Sequence, residues 1–298
     1  EKINSTESRA VLHTALRASE NQKILVNKKD IIPEIKSVKE KMKLFTASVL
    51  NGNYKGFNGD KITDVVNIGI GGSDLGPSMV VESLSHYKTD LNTYFISNVD
   101  GDHLNEVLSK VNPETTIFII VSKTFTTIET LTNANSVRSW FLKSASENDI
   151  SKHFIAVSSN VEKAIEYGIS SENIFPMWDW VGGRFSLWSS VGLSISLSIG
   201  YEKFHELLEG ARNMDLHFKN NEFSVNIPIL MACLSFWYNN FFNYQTHAII
   251  PYSENLKSFS KYLQQASMES NGKQTDRSDN LCLLYTSDAA DDMQCVDL

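Results

Sequence analysis

Between residues 65 and 178 the chain repeats one pattern: a short, unbroken apolar run, then a longer stretch with apolar residues at helical spacing. The runs cover residues 65–70, 93–97, 116–122, 154–158 and 174–178. Helical stretches near 74–88, 101–111, 124–143 and 160–167 separate them, and another follows at 186–199. A strand that is apolar along its whole length offers no face to water, so each run is expected to be covered on both sides. Such strands alternating with helices predict an α/β fold, a three-layer αβα sandwich around a parallel sheet.

Ahead of this core, residues 5–19 and 30–50 read as helices, and 51–59, rich in Gly and Asn, as a loop. Residues 201–244 carry no strand signal and read as two helices, the second strongly apolar and aromatic. Ala248-Ile249-Ile250 then reads as a strand, followed by Pro251 and a helix towards Met268, the opening of a second α/β domain. The expected organisation is a helical segment (1–50), a first sheet-bearing domain (51–200), connecting helices (201–244) and the start of a second domain (245–280). Residues 281–298 show no periodic pattern, and the string Cys282 to Asp291 reads like a translated sequencing adapter, so this tail is expected to be non-native. The first residue is Glu rather than Met, and the chain is expected to begin inside a longer one.

Composition narrows the function classes. Of 298 residues, 42% are hydrophobic and 21% charged, ordinary values for a globular protein. A formal charge of −8 argues against nucleic-acid or acidic-membrane partners. It does not exclude a small anion, because charges are screened within about 8 Å and a few local donors outweigh the global sign. Three cysteines without C-x-x-C spacing fit a reduced, cytoplasmic compartment, and seven scattered histidines with no H-E-x-x-H pair give no metal motif. No secretory leader is visible at residues 1–17, and the uncharged stretch 185–201 is interrupted by serines and short for a bilayer.

Three strand ends and one helix carry the chemistry. Gly69-Ile70-Gly71-Gly72-Ser73 follows the first strand and opens a helix, where glycines let backbone N–H groups approach an anion. Asp74 stands where the third Gly of a dinucleotide fingerprint belongs, so that reading fails, while a tight turn without ligand stays open. Ser122-Lys123-Thr124-Phe125-Thr126-Thr127 places four hydroxyls and an ammonium at the next such junction, more than helix capping alone requires. Gly182-Gly183-Arg184-Phe185-Ser186 would present Arg184 into a crevice, where a fixed cation can stabilise a developing oxyanion, although a surface Arg after a flexible turn is the more frequent case. In Gln264-Gln265-Ala266-Ser267-Met268-Glu269-Ser270-Asn271-Gly272-Lys273, Glu269 is a candidate general base with Gln265 on the same helix face. An isolated Glu is more often a solvated surface charge.

These segments, in this order, together with Thr6-Glu7-Ser8-Arg9-Ala10-Val11-Leu12-His13-Thr14-Ala15-Leu16-Arg17, resemble the successive signatures of the glucose-6-phosphate isomerase family, over residues 1 to about 280. The resemblance implies two sugar-isomerase (SIS) type domains, the second only begun here, a homodimer and no cofactor. It implies an aldose–ketose isomerase of glycolysis and gluconeogenesis, acting on glucose 6-phosphate and fructose 6-phosphate through a cis-enediol(ate). By the same resemblance Glu269 moves the proton between C1 and C2 and Arg184 stabilises the enediolate. Ser122, Lys123, Thr124 and Thr127 hold the phosphate, and Gly72, Ser73, Gly183 and Gln265 line the sugar site. The family's ring-opening histidine, given by the partner subunit, and a C-terminal lysine belong to sequence after residue 280. No histidine follows His247, so this chain is expected to lack an assembled active site. The alternative is a non-catalytic sugar-phosphate-binding SIS module.

Overall fold

The computed structural model describes residues 9–244 and 246–272. The chain opens with a 3₁₀ turn, His13–Arg17, and a two-residue antiparallel hairpin, β1 (Leu25–Val26) and β2 (Lys29–Asp30). Asn27 and Lys28 both have positive φ, 49° and 68°, the backbone signature of a tight hairpin turn matched to strand twist. Helix α1 (Ile32–Leu50) starts with Pro33 in its first turn, where a missing N–H costs nothing.

The core then alternates as expected: β3 (Asp64–Ile68), α2 (Leu75–Ser83), β4 (Asn92–Ile96), α3 (Gly101–Leu108), β5 (Thr116–Val121), α4 (Ile128–Phe141), β6 (Phe154–Ser158), α5 (Val161–Glu166) and β7 (Ile174–Pro176). All five of these strands pair in parallel, in the order β4-β3-β5-β6-β7. Successive strand residues point to opposite faces, so one strand feeds two cores. From β5, Ile117, Ile119 and Val121 enter a core shared with Ile35 and Met42 of α1, Met79 of α2, α6 (Leu193–Ile199) and Phe204 of α7 (Tyr201–Asn220). Phe118 and Ile120 enter the other, with Leu104 and Val107 of α3 and Val137 and Phe141 of α4. This is the three-layer αβα sandwich expected.

Three expectations need correcting. Residues 5–8 lie outside the described residues, and of 9–19 only His13–Arg17 is helical, as a 3₁₀ turn, because its groups serve tertiary contacts: the Leu12 N–H donates to the Trp180 carbonyl and Arg17 pairs with Asp215. The stretch 186–199 does not start as one helix. The hydroxyls of Ser186, Ser189 and Ser190 donate to the carbonyls of Gly72, Ser186 and Pro176, and two 3₁₀ turns, Gly183–Trp188 and Ser190–Gly192, precede α6. Residues 248–250 form no strand, since a strand exists only by pairing and no described segment pairs with them. The Ile249 carbonyl accepts from Ser260 Oγ instead. Helix α8 (Ile227–Phe242) buries none of its residues, and α9 (Phe259–Asn271) carries the sequence towards Met268 as expected. The expected non-native tail, 281–298, lies outside the described residues.

Phe118 is fully buried and packs against Phe141, Phe154 and Trp140. Phe118→Ala should destabilise the fold by about 3–5 kcal/mol, the usual range for an emptied aromatic site. Chemical denaturation followed by circular dichroism measures it, and a loss under about 1 kcal/mol would contradict the packing described.

Candidate functional site

The sheet order reverses at β3: the chain steps to β4 on one side, then to β5 on the other. In open parallel sheets the crevice at the carboxyl ends beside such a reversal is where ligands bind. The turns that leave β3 and β5 there are the Gly69–Ser73 and Ser122–Thr127 segments.

The first turn is built by backbone requirements. Gly71 has φ +59°, and the 3₁₀ turn Gly71–Ser73 follows it. Asn67, fully buried inside β3, donates its side-chain amide to the Ser73 carbonyl at 3.0 Å and so fixes the turn from beneath. A Cβ on Gly72 would lie 2.1 Å from the Gly183 carbonyl oxygen, so two loops 111 positions apart touch backbone to backbone. The Ser186 hydroxyl bridges the same pair by donating to the Gly72 carbonyl at 3.3 Å. Asp74 is buried, and desolvation pushes its carboxyl above the usual range, against the hydrogen bonds of Ser97 and Ser78.

The second turn holds Phe125 at φ 55°, a conformation that costs a non-glycine residue energy. Burial of its ring, 3% exposed and edge-on to Tyr167, offsets that cost. The hydroxyls of Ser122 and Thr127 are 3.1 Å apart, and those of Thr124 and Thr126 2.6 Å apart. The carbonyl of Lys123 accepts from the Ser159 N–H and from the hydroxyls of Ser158 and Ser159, which locks the turn to the end of β6. Lys123 Nζ donates to the carbonyls of Asp179 and Val181, both at 3.1 Å, tying this turn to the segment that leads into Gly182-Gly183-Arg184. Burial, with the charge of Arg9 as a lesser cause, brings the Lys123 ammonium down to about 8.

Arg184 and Glu269 meet. Nη1–H of Arg184 donates to Glu269 Oε1 at 2.8 Å, and Nε–H donates to Ser270 Oγ at 2.8 Å. The two charged side chains are 23% and 21% exposed. Gln265, one turn before Glu269, brings Nε2 to 3.0 Å from where a Cβ on Gly71 would stand, and its Oε1 is a buried acceptor without a partner. Helix α9 is anchored on α2: Lys257 pairs with Glu82 at 2.9 Å, the Ser258 hydroxyl donates to the same carboxylate, and Tyr262 lies beside Gly76.

The structure thus brings Gly72, Ser73, Gly183, Arg184, Gln265 and Glu269 to one place and links Ser122, Lys123, Thr124 and Thr127 to it through Lys123. Cavities of about 340 Å³ between α3 and α4 and about 810 Å³ beside Tyr54 lie elsewhere, and none of these residues lines them. Two supporting residues escaped sequence reading. Asn67 had a signal, a polar residue in the middle of a buried apolar run. Ser270 lay in the Glu269 motif, but its bond to Arg184 is a tertiary fact. Among the described residues no cluster of His, Cys, Asp or Glu could hold a metal ion, and no helix is long and apolar enough to cross a membrane.

Comparison with known proteins adds the following. The family model described as phosphoglucose isomerase matches residues 1–290. The glucose-6-phosphate isomerase of Christiangramia forsetii is 60% identical over 277 residues, covering 93% of this chain and 51% of that protein. The crystal structure of a glucose-6-phosphate isomerase from Chlamydia trachomatis superposes with a TM-score of 0.82 at 34% identity, over 93% of this chain and 52% of that one. A hypothetical protein from Thermus thermophilus shares the fold, with a TM-score of 0.69 at 24% identity, over 84% of this chain and 56% of that one. The chain spans about half the length of the curated relatives it matches.

Two outcomes follow from this geometry. Gly72→Ala must push the Arg184 turn away, since the new methyl would meet a backbone oxygen rather than a flexible side chain. Chemical denaturation should show a loss of about 1–3 kcal/mol, the usual cost of overpacking, and unchanged stability would refute the contact. If Lys123 serves a phosphate, affinity should fall as pH rises through about 8, where the free ammonium is lost. A phosphomonoester is already a dianion above its second pKa of about 6, so the ligand does not titrate in that window. Binding that stays constant from pH 7 to about 9.5 would contradict a phosphate held by a Lys123 ammonium that burial has depressed.

Proposed function

The chain belongs to the phosphoglucose isomerase family, and from that premise we propose that it supplies the phosphosugar site and the proton-transfer groups of an enzyme interconverting glucose 6-phosphate and fructose 6-phosphate. One observation carries the reading: Arg184 and Glu269, 85 positions apart, converge at 2.8 Å beside the two strand-end turns.

In this reading the Glu269 carboxylate takes the proton from C2 of the open-chain aldose. The electron pair moves to form the C1–C2 double bond, and the C1 carbonyl oxygen takes up charge and a proton. Loss of the O2 hydroxyl proton then lets C2 become the carbonyl, its electron pair drives the C1–C2 double bond onto the proton returned to C1, and the ketose is complete. Because base and cation reach the same point, an enediolate held there meets both. The Arg184 guanidinium stabilises the oxygen on which negative charge develops, and needs no reorganisation because Ser270 and Phe185 hold it. The unpaired Gln265 Oε1 is suited to accept from a sugar hydroxyl. Ser122, Lys123, Thr124 and Thr127 bind the phosphate, whose attachment energy helps orient the reacting carbons.

Ring opening, and a further lysine, are assigned to the rest of a full-length protein, together with completion of the second SIS-type domain. A homodimer working in the cytoplasm, within glycolysis and gluconeogenesis, completes the proposal.

In the complete gene product, Glu269→Gln should lower isomerisation by about 10²–10⁴-fold, the range a general base contributes. Fructose 6-phosphate binding should remain measurable by calorimetry. Retained turnover would remove Glu269 from its role, and saturable binding with no turnover in the unmutated protein would favour a binding module.

A further inference from the structure

Arg184 needs a support that no catalytic motif names. Its guanidinium lies over the ring of Phe185, 5.0 Å from the centroid. That ring is stacked on the imidazole of His13, with centroids 4.5 Å apart and planes 12° from parallel. One turn on, Arg17 lies 5.0 Å over Trp188, three residues beyond Phe185, and is held by a two-pronged ion pair to Asp215 at 2.5 and 2.8 Å. The 3₁₀ turn His13–Arg17 therefore grips the Arg184-bearing turn at two aromatic points, and the Leu12 N–H bond to Trp180 fixes it in register.

The two grips differ in chemistry. Arg17 is 7% exposed and anchors the segment to α7. His13 makes no hydrogen bond through Nδ1, which is buried without a partner, so its contact with Phe185 is a ring contact. The charges bearing on His13 are Arg17, Asp215 and Arg184, two cations against one anion, and burial acts first among the causes that hold the imidazole down to about 4. A neutral ring can lie flat on Phe185 close to two guanidinium groups, whereas an imidazolium would add a third cation.

We propose that His13 is a positioning residue for the isomerisation: as a neutral ring stacked on Phe185, it holds the plane against which the Arg184 guanidinium is aimed. The proposal rests on the reading of Arg184 as the cation facing the enediolate, and its test separates the two. In the complete gene product, His13→Ala should lower kcat by roughly 10- to 100-fold, while KM for fructose 6-phosphate moves by less than about 3-fold. The melting temperature should stay above the assay temperature. His13→Phe keeps the stacked ring and should recover most of kcat.

Arg184→Ala is the reference. If it leaves kcat unchanged, the assignment of Arg184 fails and the positioning role falls with it. If Arg184→Ala is impaired but His13→Ala is not, only the present inference fails. Loss of activity in His13→Ala that tracks loss of folded protein, or no recovery in His13→Phe, also overturns it. A readout independent of turnover uses the chain itself: the His13 C2 proton, followed by NMR, should titrate near 4 and move upward in Arg184→Ala. An unmoved midpoint would show that the two side chains are not neighbours in solution, and would equally overturn the proposal.

Discussion

Every strand of the main sheet runs parallel, so every strand ends at the same edge. Each strand-to-helix turn that follows is delivered to that edge, whatever its place in the chain. The reversal of strand order at β3 opens a crevice there, between the turns after β3 and β5. The chemistry of the site depends on this arrangement, since its residues come from segments near 70, 123, 184 and 267.

Close backbone approach then turns neighbouring loops into a single surface. Gly72 and Gly183 touch in a way that no side chain at position 72 could permit. Lys123 works in both directions, its carbonyl tied to the end of β6 and its ammonium to the carbonyls of 179 and 181. The ammonium is thus a structural donor as well as a charge. Its depressed pKa is a consequence of the burial that makes those bonds possible.

Electrostatics at the site are local rather than global. The chain carries a formal charge of −8, yet Lys123, Arg184, Arg17 and Arg9 lie in or around the crevice region. Arg184 is aimed by a hydroxyl, a carboxylate and an aromatic face at once. Of these partners only Phe185 is its sequence neighbour. The ring stack through Phe185 to His13 gives the N-terminal segment a part in a site it does not line.

The sequence by itself determined the layered α/β architecture, because unbroken apolar runs can be satisfied only by cover on both faces. The five runs fall within about two residues of strands 64–68, 92–96, 116–121, 154–158 and 174–176. It also marked the motif residues, since glycines, clustered hydroxyls and a lone carboxylate are unusual enough to stand out. The β1–β2 hairpin was not legible, its strands being two residues long with no alternation to read. Residues 248–250 had the composition of a strand but pair with no described segment, and pairing is a property of two segments. Only the tertiary structure decided that Arg184 meets Glu269, that Gly72 meets Gly183 and that His13 backs Phe185. These are contacts between residues 85, 111 and 172 positions apart, and pattern along a chain carries no information about distance across it.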